Sequence, residues 1–384
     1  MRLANKRFCS GCSACYAACP NHAISMEADG EGFLYPRVDS ALCVNCKICE
    51  AVCPSLNPMR ARNPLGVYAA QAKDDVIRTR SSSGGVFSLL SKLVLKSEGV
   101  IFGAALDHDD WHVYHKFIEH EDDMDELRGS KYVQSNMGDC FCQVKEYLKG
   151  GKSVLFSGTP CQVAGLKKFL WMHPTINCEN LLLVEIACHA VPSPLAWRKY
   201  LLDCSNAIDN GKIAKINFRC KNYGWEKYSL QIEYSNGLNI LRVNGEDLFM
   251  QGFLSELFNR RSCQHCLCRG FRSGADLTIA DFWGVASLFP EFNDDKGTSL
   301  VVVNTSRGVE AFNDIKSSCL VKVSDFNDVC RLNPALVKSK REHVNRAKFF
   351  ELIREERFDN VVRHLLVRVP MYKRFFYILS RLLH

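Results

Sequence analysis

Apolar positions along the chain fall into short runs of two kinds, and the difference between them divides the sequence. Near the start, Ala23-Ile24-Ser25-Met26 and Phe33-Leu34-Tyr35-Pro36 flank Asp29-Gly30 and predict a small hairpin. Residues Asn57 to Pro64 are mainly polar and aperiodic and hold prolines at Pro58 and Pro64, which predicts a linker. From Gly66 the pattern changes. Val67–Ala72, Val100–Leu106, Ser153–Ser157 and Leu181–Ala187 are mainly apolar runs, as strands buried on both faces require. Between them apolar residues return at helical spacing: Val86, Leu89, Leu90, Leu93 and Val94, then Gln162 to Leu170, then a helix from Leu195. Strands alternating with helices predict an α/β unit with parallel strands. Ile216–Arg219, with Ser229–Tyr234 and Leu238–Val243 around Asn236-Gly237, predicts an antiparallel insertion, and Glu246 to Asn259 a helix after it. Beyond Phe349, the pairs Leu352-Ile353, Val361-Val362, Leu365-Leu366 and Phe375-Phe376 keep helical spacing, and Pro370 divides them into two helices.

The expected fold class is therefore α+β, in three parts: a small domain at 1–58, an α/β domain at 65–335 with its antiparallel insertion, and a helical tail at 336–384. Length and composition fit this division. The chain has 384 residues, 47% hydrophobic and 24% charged, as ordinary globular proteins do. Residues Met1 to Arg7 show no apolar stretch of the secretory kind, and no run has the length of a membrane span, so a cytoplasmic location is expected. The net charge of +7 is concentrated at the end, where 338–384 holds 12 Lys and Arg against 5 Asp and Glu. No base-reading motif accompanies that charge, so nucleic acid is not an expected partner. The final helix, Met371 to His384, sets aromatics against Lys373, Arg374 and Arg381. This suits either docking on protein, the reading favoured here, or peripheral contact with an anionic membrane.

Cysteine spacing carries the chemistry. Cys9-x2-Cys12-x2-Cys15-x3-Cys19-Pro20 recurs as Cys43-x2-Cys46-x2-Cys49-x3-Cys53-Pro54. This is the spacing of two-cluster bacterial ferredoxins, in which three thiolates wrap one cubane and the fourth reaches the other. Cluster I is assigned to Cys9, Cys12, Cys15 and Cys53, and cluster II to Cys43, Cys46, Cys49 and Cys19. Structural zinc prefers separated pairs, and disulfides need an oxidising compartment. Twenty cysteines without an export signal thus point to metal binding in a reducing cytosol, and to a niche low in oxygen.

More thiols follow the buried runs. Cys161, after Gly158-Thr159-Pro160, and Cys188-His189 both lie just past the carboxyl ends of parallel-type strands, where open α/β sheets form their crevice. Cys263-x2-Cys266 adds two more, and the four suffice for a third cubane, although Cys140, Cys142, Cys220 and Cys268 are also at hand. Ser81-Ser82-Ser83-Gly84-Gly85 opens a helix, which suits either a phosphate or a plain cap. No GxGxxG follows a strand, so a nicotinamide site of the Rossmann type is not expected.

These segments together resemble the coenzyme F420 hydrogenase/dehydrogenase beta-subunit family. The likeness is carried by Ser82-Ser83-Gly84-Gly85-Val86, Gly129-Ser130-Lys131-Tyr132-Val133-Gln134-Ser135, Gly158-Thr159-Pro160-Cys161-Gln162, Cys188-His189, Cys263-x2-Cys266 and Ala275-Asp276 through Trp283-Gly284. The resemblance implies an iron–sulfur flavoprotein oxidoreductase with FAD. It implies that Cys161, Cys188, Cys263 and Cys266 hold a third [4Fe-4S] cluster, and that Ser82, Ser83, Gly84, Gly85, Lys131, Tyr132 and Asp276 contact the flavin. His189 is the expected proton-carrying residue. Two departures stand out. Deazaflavin-using members have Gln-Asp-Gly-Gly where this chain has Ser82-Ser83-Gly84-Gly85, and Ala190 follows Cys-His where many members have glycine. A hydrogenase component is therefore not expected. The expected flow runs from a reduced ferredoxin through the clusters to FAD and an organic two-electron substrate, or in reverse. The alternatives are an electron-transfer subunit that feeds a partner enzyme, and a non-catalytic module that has lost its flavin.

Overall fold

The computed structural model describes residues 2–206, 208 and 211–366. The expected helix from Met371 to His384 and its break at Pro370 lie outside the described residues. Strands β1 (Ile24–Ala28) and β2 (Leu34–Val38) form an antiparallel hairpin, one or two residues later than the apolar pattern suggests. The Asp29 carboxylate sets that offset: its Oδ1 accepts from Glu31 N at 3.0 Å and Phe33 N at 3.1 Å, which lengthens the turn.

The second region is an eight-stranded sheet. Strands β3 (Gly66–Ala72), β4 (Val100–Leu106), β5 (Val113–Ile118), β6 (Val154–Gly158) and β7 (Leu181–Ile186) come before the insertion. That insertion, β8 (Ile213–Cys220), β9 (Ser229–Tyr234) and β10 (Asn239–Val243), is a separate antiparallel sheet. Strands β11 (Leu277–Asp281), β12 (Ser299–Val303) and β13 (Cys319–Val323) complete the large sheet in the order β13-β3-β12-β11-β7-β6-β4-β5. Its centre, β11-β7-β6-β4, is parallel, and both flanks are antiparallel. Four strands of this sheet, β5, β11, β12 and β13, are not evident in the sequence, where each parallel strand is expected to bring its own crossover helix. Strands β5, β12 and β13 pair antiparallel and do not need one.

Alternation along the central strands feeds two cores. Leu155, Leu182 and Val184 face helix α1 (Val86–Lys96), whose Leu89, Leu90 and Val94 pack against them. Val154, Phe156, Leu181 and Leu183 face helix α2 (Pro160–Trp171), with Val163, Leu166 and Phe169. Both faces are covered, so the strands are apolar throughout. A third core forms under the insertion. Helix α3 (Pro194–Asn206) brings Trp197 and Tyr200 there; helices α4 (Arg346–Leu352) and α5 (Phe358–Leu365) bring Phe349, Phe358, Val361 and Val362. The expected helix at Glu246–Asn259 is confined to Leu248–Leu254. Asp247 caps its start through Met250 N at 2.9 Å, and Glu256 adopts φ 67° just past its end.

The hairpin domain merges with these cores. Phe33 and Tyr35 join the third core, and Cys12, Ala14 and Val52 join the α2 side. The described part of the tail reaches back to the same hairpin. Arg346 is fully buried, grips the Glu31 carboxylate with both terminal nitrogens, and donates from Nε to Asn259 O at 2.7 Å. Truncating one partner of such a pair strands the other, so Arg346→Ala is expected to cost about 3 kcal/mol. Anaerobic urea unfolding of the variant against the parent chain measures it.

Candidate functional site

Thiols gather in three places. One cavity is lined by Cys9, Cys12, Cys15 and Cys53, with Cys49 at its edge; a second is lined by Cys19, Cys43, Cys46 and Cys49. The crossed membership, with Cys53 in the first and Cys19 in the second, is the arrangement that the doubled spacing leads one to expect. In the first cavity burial is the main force raising the thiols. It pushes Cys15 to about 12 and Cys12 well above its ordinary value, with the neighbouring sulfurs adding to both. Four sulfurs set so close cannot ionise together without a cation among them. The donor set fits an iron–sulfur cluster, whose iron supplies that charge.

The third gathering joins the parallel strands. Cys161 sits in the first turn of α2, directly after β6, so it lies on the helix and not in the turn that precedes it. Cys188 follows β7, the parallel neighbour of β6. Cys263 lies in a short 3-10 turn at Arg261–His265, with Cys266 directly after it. Burial is again the first cause of the raised thiols. Cys263 is pushed to about 12, and Cys161, Cys263 and Cys266 each add to the rise at Cys188. Of the other available thiols, Cys268 alone joins this set, being raised by burial and then by Cys161, Cys266 and Cys12. Cys142 points its sulfur at Ala17 O, and Cys220 at Asn222 Oδ1.

Helix α2, which carries Cys161, packs against the first cavity. A Cβ placed on Gly165 of α2 would lie 3.1 Å from Cys12 Sγ, so only glycine lets the hairpin domain seat this closely. Cys161 is also held from behind. His115 is buried; its Nε2 donates to Ser157 O at 3.1 Å, and its Nδ1 accepts from Ser135 Oγ at 2.9 Å. Ser135 Oγ in turn accepts from Gln162 Nε2 at 2.7 Å. Gln162 Oε1 accepts from Thr159 N at 2.9 Å, and Thr159 Oγ1 lies 3.2 Å from Cys161 Sγ.

The Ser82–Gly85 loop is at the same, carboxyl-end edge of the sheet, where Asp281 of β11 pairs with Ser299 of β12. Ser83 Oγ donates to Thr298 O at 2.8 Å and Gly84 N to Ser299 Oγ at 3.0 Å. A side chain at Gly84 would collide with Ala70 O and with Ser299 N. Gly85, at φ 95°, begins α1 without any side-chain cap. Ser82 Oγ is 3.2 Å from Ser130 Oγ, which brings the Gly129–Ser135 segment alongside.

A residue the sequence did not single out closes this corner. Arg219 of β8 is buried; it pairs with Asp281 at 2.9 Å and donates to Tyr132 Oη and Ser82 O, both at 3.3 Å. Its guanidinium lies 3.9 Å from the centre of the Tyr228 ring, and its Nε has no partner among the described residues. Trp225 donates to Asp281 Oδ1 and stacks on Trp283. An uncapped helix start beside a buried guanidinium with one free N–H is suited to an anion such as a pyrophosphate. The only sequence signal for Arg219 was its place next to Phe218 and Cys220 at the end of a strand that also holds Lys215 and Asn217.

Three expected residues are placed differently. Lys131 turns from the loop and donates to Glu126 O at 2.9 Å and Arg128 O at 2.7 Å, and burial lowers it to about 7. Asp276 precedes β11, at the opposite, amino edge of the sheet. Its carboxylate accepts from Leu183 N at 2.9 Å and Thr305 Oγ1 at 2.6 Å, so it ties strands together away from the loop. His189 Nε2 lies 2.6 Å from Glu256 Oε1 at an angle poor for a hydrogen bond, which leaves both atoms unsatisfied. Arg269 Nη2 fixes the backbone there, donating to Cys188 O and His189 O at 2.7 Å each.

Comparisons with known proteins match most of the chain to described families. The models described as coenzyme F420 hydrogenase/dehydrogenase, beta subunit, match residues 67–140 with the N-terminal part and 151–329 with the C-terminal part. A 4Fe-4S dicluster domain matches 8–57. The chain is 23% identical over 354 residues to the coenzyme F420-dependent sulfite reductase of Methanocaldococcus jannaschii, covering 88% of this chain and 50% of that protein. It is 23% identical over 191 residues to one of the subunits of the F(420)H(2) dehydrogenase of Methanosarcina mazei, covering 47% of this chain and 53% of that one. The chain thus spans about half the length of the curated relatives it matches. A chain of the F420-reducing [NiFe] hydrogenase complex from Methanosarcina barkeri shares the fold, at TM-score 0.50 and 15% identity over 76% of this chain and 93% of that chain. Among the described residues no helix is long and apolar enough to cross a membrane.

Burial lowers His115 from an ordinary 6.5 to about 4, which gives the site a pH signature. A base with a depressed folded pKa contributes stability that is present above pH 6.5 and lost as the pH falls toward 4, up to about 3 kcal/mol. His115→Gln should therefore flatten stability across that window in anaerobic urea unfolding.

Proposed function

Because the chain belongs to the coenzyme F420 hydrogenase/dehydrogenase beta-subunit family, we propose that it is an iron–sulfur oxidoreductase linking two ferredoxin-type clusters, through a third, to a flavin. The third cluster is assigned to Cys161, Cys188, Cys263 and Cys266, and the flavin, as FAD, to the Ser82–Gly85 corner. The carrying observation is the position of the third thiol set. Cys161 lies on the helix whose Gly165 packs against Cys12 of the first cavity, and that helix starts from the sheet edge that also bears the loop. Such a line of sites suits electron transfer and has no use in a purely structural metal protein.

When bound, the clusters supply one-electron carriage, and the flavin supplies exchange between single electrons and a hydride equivalent. The chain's own residues bind and shield. The amides that open α1 and the free Nε of Arg219 hold the anionic part of the cofactor, with Tyr132 and Ser82 fixing the guanidinium. His189, set against Glu256, is the residue to hold a proton beside the site. Electrons enter at the second cavity, where Cys46 is exposed and Leu42 and Val44 turn apolar side chains outward, from a reduced ferredoxin or a similar donor. The two-electron acceptor is an organic molecule. That relatives include a component of a dehydrogenase supports a second reading, in which the acceptor is a partner enzyme.

Anaerobic purification with iron, sulfide and flavin counted per chain tests the reading. About twelve iron and one flavin are expected, whereas about eight iron without flavin would overturn both the third cluster and the flavin. Cys161→Ala should lower the count to about eight and leave the two ferredoxin-type signals in electron paramagnetic resonance. Arg219→Gln should weaken flavin retention about tenfold or more, the effect of one lost charge-assisted contact. Flavin retention equal to that of the parent chain would remove Arg219 from the site.

A further inference from the structure

Arg260 is a buried cation with no anion beside it among the described residues. Its side chain is fully enclosed, with Nε donating to Cys9 O at 2.9 Å, Nη1 to Gln134 Oε1 at 2.7 Å and Nη2 to Leu34 O at 2.9 Å. Its guanidinium lies over the rings of Tyr35 at 4.2 Å and Phe33 at 5.3 Å. Every one of these partners is neutral. Among the described residues no carboxylate comes within 4.0 Å of it. Of the other buried arginines, Arg78 has Asp294, Arg219 has Asp281 and Arg346 has Glu31, whereas Arg269, beside Cys188, is held like Arg260 by neutral acceptors. An unpaired buried charge costs several kcal/mol, so a position like this one calls for negative charge nearby.

That charge can come from two sides. Arg260 Nη2 is 4.0 Å from Cys9 Sγ, on the wall of the first cavity, and a Cβ on Gly11 of the same wall would lie 2.9 Å from Nη1. On the other side Arg260 is the residue from which the Arg261–His265 turn starts, and its carbonyl accepts from Cys263 N at 3.0 Å. One arginine therefore borders both the first and the third thiol sets.

We propose that Arg260 is the shared counter-cation of the Cys9-Cys12-Cys15-Cys53 and Cys161-Cys188-Cys263-Cys266 sites, and that it raises the reduction potentials of both. The proposal rests on the reading that these thiols hold clusters. Reduction adds one negative charge to a cluster, so a fixed cation favours the reduced form, and N–H groups aimed at sulfur act in the same sense. Because both sites feel the same charge, they move together, and the step between them stays small. Arg260 is a positioning and tuning residue; it transfers nothing itself.

The test is a redox titration of the full-length holoprotein followed by electron paramagnetic resonance, with iron counted on every sample. Arg260→Gln is expected to shift the signals of both sites to more negative potential, and more strongly for the site containing Cys9. Arg260→Lys, which keeps the charge, should stay close to the parent. Gln134→Glu keeps the arginine but sets a carboxylate against Nη1. It should shift the potentials in the same direction as Arg260→Gln, and it decides the matter if that variant does not fold. Full iron with unchanged potentials in Arg260→Gln or in Gln134→Glu would overturn the proposal and leave Arg260 a clamp between domains. A parent chain lacking clusters at these sites would overturn the reading beneath it, and the iron count shows this before any potential is measured.

Discussion

Sulfur atoms from two separately wound domains meet here in one water-poor interior, and most of the architecture answers that constraint. Cys12, Cys188 and Cys263 are raised by burial first, with sulfur neighbours adding to the rise, so ionising them requires positive charge to be brought in as well. Metal supplies most of that charge and Arg260 some of it. Close approach supplies the geometry. Gly165 leaves out a side chain that would crowd Cys12 against α2, and the His115–Ser135–Gln162 chain fixes the start of that helix, where Cys161 sits.

The mixed sheet matters for the same reason. Its parallel centre aligns the ends of β6 and β7, and hence Cys161 and Cys188, on one edge. Its antiparallel flank then returns β12 and β3 so that Ser299 and Ala70 lie at that edge too, with the Ser82–Gly85 loop upon them. A wholly parallel sheet would need a crossover for each of these strands and would have no short route for bringing the loop to the thiols.

Much of this was legible in the sequence, and for physical reasons. The doubled cysteine spacing dictates crossed ligand sets because geometry leaves the fourth thiol no room at its own cube, and the apolar runs of β6 and β7 announce strands covered on both faces. What stayed hidden depends on distance along the chain. Arg219 reads as one charge in a strand until Asp281, Tyr132 and Ser82 are seen around it, and Arg260 reads as one of many surface cations. Asp276 and Lys131 mislead in the opposite sense. Both sit within family-like segments, but one ties strands at the far edge and the other is used up on two carbonyls.

The grip on the N-terminal hairpin also fixes an order of events during synthesis. Residues 8–57 leave the ribosome first, carrying eight of the thiols, yet the side chains that hold this domain in place come from Arg260 and Arg346. Until synthesis has passed Arg346, the leading domain lacks these grips, and until it has passed Arg260 its first cavity lacks a wall. Metal delivered early would meet an open site, and metal delivered late a closed one. The arrangement makes segments translated long after the hairpin the gatekeepers of its metal.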